Sequence, residues 1–211
     1  MKILFYGDSI TDAGRDRETD YEDASYGSGY VKYIVENLCA DGHPREEFIN
    51  RGISGNRIVD LYARIKADCW NHNPDFISIL IGVNDIWHEI EEENGVELDR
   101  FEKVYRLLIE DTQAKLPNTK ILLMEPFILK GLATVDAGDK WQRFLAVYDY
   151  AAVVKKLAEE YGLFFLPLQD KLTAAENAGV TDLLGDGVHP AKNGVKLIGE
   201  EWLKAFNAIK A

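Results

Sequence analysis

A serine hydroxyl is a weak nucleophile until a base takes its proton, and the base works best when a third group orients it. One set of residues in this chain suits that division of labour. Ser9 follows an apolar run that breaks at Gly7-Asp8, in the stretch FYGDSITD. His189 precedes Pro190, which biases it away from helical backbone, and Asp186 stands in the same turn, Asp186-Gly187-Val188-His189-Pro190. At that spacing the Asp186 carboxylate can reach the imidazole nitrogen that Ser9 does not use, and so fix the tautomer. The chemistry indicated is acyl transfer, with Ser9 as nucleophile, His189 as base and Asp186 as the orienting group.

Acyl transfer also needs donors fixed where the oxyanion develops. Gly55, in the turn Asn50-Arg51-Gly52-Ile53-Ser54-Gly55-Asn56, can present a backbone N–H with no Cβ in the way. Asn84, in Gly82-Val83-Asn84-Asp85, offers a side-chain amide, and the Ser9 N–H completes the set. Each part alone has a plainer reading: a capping histidine, a loop pair at Asn84-Asp85, a turn with an N-cap at Gly55-Asn56. Their joint occurrence, each near the end of a predicted strand or helix, favours a hydrolase.

The elements that must position these residues follow from periodicity. Apolar, β-prone runs occur at Ile3–Tyr6, Glu47–Ile49, Phe76–Ile81, Lys120–Met124 and Leu163–Leu168. Amphipathic helices are predicted over Tyr26–Ala40, Arg57–Trp70, Phe101–Lys115, Trp141–Tyr161 and Lys192–Ala208, with Gly162 as a stop signal. Strands that are apolar throughout and alternate with helices describe a parallel sheet covered on both faces. The predicted fold is α/β, a three-layer sandwich in one domain over residues 1–211, with Val135–Lys140 as an internal loop. In such sheets ligands bind beyond the carboxyl ends of the strands, where Ser9, Gly55 and Asn84 fall.

GDS at 7–9, the Gly55 turn, GVND at 82–85 and DGVH at 186–189 resemble the four signature blocks of the SGNH, or GDSL, hydrolases. The resemblance spans almost the whole chain. It implies a flavodoxin-like sheet of order 2-1-3-4-5, Ser9, Asp186 and His189 as the triad, and Ser9, Gly55 and Asn84 as the oxyanion hole. A closer likeness within the family, through GDSITDAGR, GSGYVKYIV, NRGISGNRIVDLYAR and PDFISILIGVNDIW, is to intracellular bacterial acetylxylan and xylo-oligosaccharide acetylesterases. Those relatives tend to carry Trp-Asp-Arg-Val-His where this chain has Gly185-Asp186-Gly187-Val188-His189, so the aromatic wall beside the triad is missing here.

Composition narrows the substrate. With 24 basic against 36 acidic residues the net charge is −12, which disfavours nucleic acid and anionic membranes as partners. The stretch after Met1-Lys2 is too short for a secretory signal, so a cytoplasmic location is expected. Cys39 and Cys69 lack disulfide or metal spacing. The acidic block His88–Glu93 reads as a solvated loop or helix end, and no apolar lid follows the third strand. A small, neutral ester with a short acyl group is therefore expected, an acetylated sugar above all, with no metal or cofactor and with self-association as a further expectation from the resemblance. Asp8, Trp87, Tyr26 and Tyr30 are candidate substrate contacts, the aromatics having core packing as their alternative. Rival readings are a broader carboxylesterase or lysophospholipase-like acylhydrolase, a metal-dependent phosphoesterase built on Asp8, Asp85, Asp186 and His189, and a flavin or nucleotide binder. The last is disfavoured by the acidic Asp8 and Asp12 in the first loop.

Overall fold

A computed structural model describes residues 1–135 and 138–210. Its sheet is built from β1 (Ile3–Gly7), β2 (Phe48–Gly52), β3 (Phe76–Leu80), β4 (Lys120–Met124) and β5 (Phe164–Leu166), all parallel, in the order β2-β1-β3-β4-β5. Helices follow the strands: α1 (Ser9–Asp12) and α2 (Tyr30–Ala40) after β1, α3 (Ile58–Asp68) after β2, and α4 (Val83–Glu92) and α5 (Leu98–Lys115) after β3. Then come α6 (Lys140–Phe144), α7 (Val147–Glu160), α8 (Gln169–Asn177) and α9 (Lys192–Lys210). The expected three-layer α/β architecture and strand order are those observed.

Strand β1 shows why its run is apolar without alternation. Successive side chains point to opposite faces of a strand, and here both faces are covered. Phe5 packs edge-on to Tyr30 of α2 and against Trp202 of α9, which stacks on Phe206 at 4.8 Å between ring centres. Tyr6 points the other way, donating its hydroxyl to Leu61 O at 2.6 Å beneath the Arg64 guanidinium. So α2 and α9 pack together, as do α3 with α5 and α5 with α7. Ser78, a polar group buried in β3, is satisfied by accepting from Trp202 Nε1 at 2.9 Å.

Several boundaries differ from expectation. Tyr26 ends a separate helical turn, because the chain bends at Gly27 (φ 73°) before α2 begins at Tyr30. The helix expected over Trp141–Tyr161 is two helices, and Gly162 (φ 63°) follows its end as predicted. Helices α1 and α8 are not among the predicted elements, and of α4 only the end is, as one of the two readings of His88–Glu93. Of the loop expected at Val135–Lys140, Asp136 and Ala137 lie outside the described residues, and Lys140 opens α6. Among the described residues no helix is long and apolar enough to cross a membrane.

Candidate active site

Beyond the carboxyl end of β1, Asp8 caps α1 by accepting the Ile10 N–H at 2.9 Å, which turns Ser9 to the surface at the helix start. The Ser9 Oγ lies 2.8 Å from His189 Nε2, and His189 Nδ1 lies 2.8 Å from Asp186 Oδ2. The second Asp186 oxygen accepts the backbone N–H groups of Val188 at 2.9 Å and His189 at 2.8 Å. Burial alone would raise the Asp186 carboxyl, but the His189 backbone N–H, its imidazole and the Val188 N–H outweigh it and hold the group below the ordinary carboxylate range. An ionised Asp186 places the imidazole proton on Nδ1 and leaves Nε2 free to accept from Ser9.

The turn that carries Asp186 and His189 is braced from outside. Gly185 N donates to His189 O at 2.8 Å, and Ala191 N to Leu183 O at 2.9 Å, closing the turn on itself. From the chain after β4, Leu129 N donates to Gly187 O at 2.9 Å and Ala133 N to Asp186 O at 2.8 Å. That approach requires Gly131, where a Cβ would stand 2.2 Å from the Asp186 carbonyl carbon. Buried Thr134 locks the bracing loop, accepting from Gly131 N at 2.9 Å and donating to Leu129 O at 2.8 Å. Sequence reading did not find these supports, since backbone contacts leave no signal beyond small residues.

The donor side assembles from β2 and β3. Gly55 adopts φ 83°, open to glycine, and its N–H has no acceptor among the described residues. Ser9, at the start of α1, has an N–H with no acceptor inside that helix. Asn84 lies in the first turn of α4, nearly buried, with one amide N–H given to Asn56 O at 3.0 Å and the other unclaimed among the described residues. Asp12 ties the two loops together, accepting from Ser54 N at 3.0 Å and from the Arg17 guanidinium. Ser9, Gly55, Asn84 and His189 thus line one cavity of about 230 Å³.

Trp87 lines the same cavity, its ring 5.8 Å from that of His189 and edge-on to Phe144. An aromatic wall therefore stands beside the imidazole, supplied by α4 instead of position 185. His88, Glu91 and Glu92 also line this cavity, so the acidic block expected to be a solvated surface forms its rim. Glu91 there pairs with Lys140.

Three expected substrate contacts are corrected. Tyr26 is 1% exposed and donates to Arg45 O; Tyr30 is 0% exposed and its hydroxyl lies 3.0 Å from Thr11 Oγ1. Both rings belong to the core, so neither presents a face to a sugar. Asp8 is also fully buried, and its Oδ2 has no hydrogen-bond partner among the described residues. It shapes the turn at Ser9 from beneath, and it faces inward beside Asp85, whose oxygens both accept the Ile58 N–H at 3.0 and 3.3 Å. Among the described residues, no three His, Cys, Asp or Glu side chains gather as a metal's ligands would. The phosphoesterase set of Asp8, Asp85, Asp186 and His189 is thus split between the interior and the cleft.

Burial pushes the Asp8 carboxyl up to about 7, against the Ile10 N–H and the His189 ring, which both lower it. Burial likewise pushes Asp85 well above the carboxylate range, the Ile58 N–H opposing and Asp8 adding to it. A raised folded pKa means that the native state holds a proton the unfolded chain has lost, so Asp8 weakens the fold as pH rises toward 7. Asp8→Asn should therefore gain in Tm relative to wild type as pH rises from about 4 to about 7 and keep that margin above it. A Tm difference that is constant across this range, measured by calorimetry, would show that Asp8 does not titrate there.

With this geometry in place, the likeness to known proteins is specific. Residues 5–197 match the model of the GDSL-like lipase/acylhydrolase family. The chain is 35% identical to an acetylxylan esterase of Geobacillus stearothermophilus, over 97% of this chain and 96% of that one. A crystal structure of an acetylxylan esterase from the same organism superposes with a TM-score of 0.82 at 33% identity, covering 97% of this chain and 93% of the other. A GDSL-like lipase structure from Parabacteroides merdae gives 0.87 at 38% identity, covering 96% and 94%. Sequence likeness over nearly the full length of both chains, and the same sheet order beneath it, establish that this chain belongs to the GDSL-like lipase/acylhydrolase family and is a carboxylic ester hydrolase.

Proposed function

We propose that this enzyme removes acetyl groups from a small sugar or oligosaccharide through an acyl-enzyme on Ser9. One observation carries the reading: Asp186, His189 and Ser9 form an unbroken chain of 2.8 Å contacts that ends beside three N–H donors free to point at an oxyanion. Ser9 Oγ attacks the ester carbon while His189 Nε2 takes its proton, and the carbonyl oxygen gains the negative charge. The donors of Ser9, Gly55 and Asn84 hold that charge. As the carbon–alcohol bond breaks, His189 returns the proton to the leaving sugar oxygen. Water, deprotonated by the same nitrogen, then attacks the acyl-enzyme, and acetate leaves as Ser9 regains its proton.

The resemblance to acetylxylan esterases supports the acetyl and sugar parts of the proposal. Physical features of the cleft agree with it: Trp87 offers a flat apolar face, and the acidic rim of Glu91 and Glu92 is a poor surface for a lipid interface. The cavity beside the oxyanion donors, about 230 Å³, lies below the range of about 300–1,000 Å³ of pockets for drug-sized ligands. Values of kcat/KM on p-nitrophenyl esters should therefore fall about tenfold or more from acetyl to butyryl, and further to octanoyl. Acetylated sugars should be deacetylated with release of acetate. Octanoyl esters turned over as fast as acetyl esters would replace this reading with the broader carboxylesterase or lysophospholipase-like one.

A further inference from the structure

On the other flank of Ser9 and His189 lies a larger cavity of about 540 Å³, lined also by Asp12, Arg15, Arg17 and Ser54. Its charges are unevenly matched. Asp12 is engaged by the Arg17 guanidinium, the Ser54 N–H and the Arg15 backbone N–H. Nearby, Arg51 pairs through both of its terminal nitrogens with Asp20, and Arg64 pairs with Asp68. Arg15 has no such counter-ion: although only 8% exposed, it makes no ion pair among the described residues.

A guanidinium carries five N–H donors. Arg15 gives one, from Nε, to Gly52 O at 2.9 Å, and a second, from Nη1, to Asp16 O at a long 3.5 Å. Three remain, on a side chain that the Gly52 bond fixes in place at the cavity wall. A nearly buried cation with unspent donors is costly unless an anion completes it. Burial, and then the neighbouring Arg51, draw the Arg15 group below its ordinary value, with Asp12 opposing, which agrees with a site short of negative charge.

We propose that this cavity is a subsite for a carboxylate carried by the alcohol part of the ester, so that the preferred substrate is an acetylated sugar acid or an oligosaccharide bearing one beside the acetylated ring. The inference rests on the esterase reading above. A planar fork of N–H groups matches a carboxylate in two-point contact. The cavity volume lies within the range of about 300–1,000 Å³ of typical small-molecule pockets. Placement on the alcohol side follows from size, because the acyl group of an acetate is too small to reach across this space. The net charge of −12 pointed to a neutral substrate, but the sum over the chain hides this local surplus of positive charge.

The test compares mono-acetylated methyl hexuronoside with its neutral methyl ester and with the matching acetylated hexoside. Wild-type kcat/KM should favour the free acid by about tenfold or more, as a hydrogen bond to a charged group allows. The preference should shrink as salt rises from about 0.05 to about 0.5 M. In Arg15→Gln the ratio should fall toward one, and in Arg15→Lys part of it should remain. Because Arg15→Gln also loses an anchor to Gly52, binding is measured separately on Ser9→Ala protein by calorimetry with free methyl hexuronoside and methyl hexoside, where the acid should bind more tightly. Equal wild-type kcat/KM for acid and neutral esters, or equal binding of the two sugars, overturns the subsite. So does a preference for a hemisuccinate of a neutral sugar without one for the acetylated acid, which would place the carboxylate on the acyl side. Wild type that hydrolyses neither neutral nor acidic acetates rejects the proposed sugar-acetylesterase reading itself, whereas hydrolysis of neutral acetates without the charge preference rejects only the subsite.

Discussion

Ser9→Ala should abolish ester hydrolysis, lowering kcat by about 10⁴-fold or more while the protein stays folded. The size of the effect comes from the loss of the covalent route: the remaining donors can still polarise a bound ester, yet nothing accepts the acyl group. The fold should survive because the Ser9 side chain has a single hydrogen-bond partner among the described residues, the His189 ring at 2.8 Å, and is only half-buried. Losing one such bond costs about 1 kcal/mol. Wild-type protein should be inactivated by a serine-directed organophosphate, with the label on Ser9 by mass spectrometry, and the same activity should persist in chelator. A folded Ser9→Ala enzyme with wild-type turnover, or activity lost to chelator and insensitive to the organophosphate, would remove the acyl-enzyme mechanism.

Legibility in the sequence tracks the kind of interaction that holds each part in place. Runs such as Ile3–Tyr6 and Phe76–Ile81 are visible because a strand buried on both faces cannot hide its apolarity. The triad was visible for a different reason: Ser9, Asp186 and His189 are chemically distinctive and sit at turns. Helix α4 was missed although Val83, Ile86, Trp87 and Ile90 stand at helical spacing. Asn84 and Asp85 in its first turn are residue types that favour loops, and they masked that period. What fixes it is tertiary, Asp85 accepting the Ile58 N–H and Trp87 packing on Phe144. Tyr26 and Tyr30 failed as substrate contacts because spacing after a nucleophile says nothing about which way a ring points. Arg15 escaped notice because its meaning lies in the counter-ion it lacks among the described residues, and such a lack cannot be read along a chain.

Asn84→Ala should lower kcat by about 10²–10³-fold with little change in KM, the loss found when one oxyanion donor is removed from a comparable site. The asymmetry between the two constants is the informative part. In the proposed mechanism the second Asn84 N–H, unclaimed among the described residues, meets a carbonyl oxygen in the bound ester and an oxyanion in the transition state, and a donor fixed in a nearly buried site gains most as the charge forms. Its fixity is structural, since the other N–H is held by Asn56 O at 3.0 Å and α4 begins at Val83, so the helix N-terminus adds its positive end to the same place. Loss of the Asn56 bond should cost about 1 kcal/mol of stability, which Tm measures independently of rate. Asn84→Asp supplies the contrast, keeping the shape but putting an acceptor and a negative charge where the oxyanion forms, and its kcat should fall at least as far as that of Asn84→Ala. If Asn84→Ala changes KM alone, or if Asn84→Asp is the faster of the two, the amide binds substrate instead of stabilising the transition state. The oxyanion would then rest on the backbone N–H groups of Ser9 and Gly55.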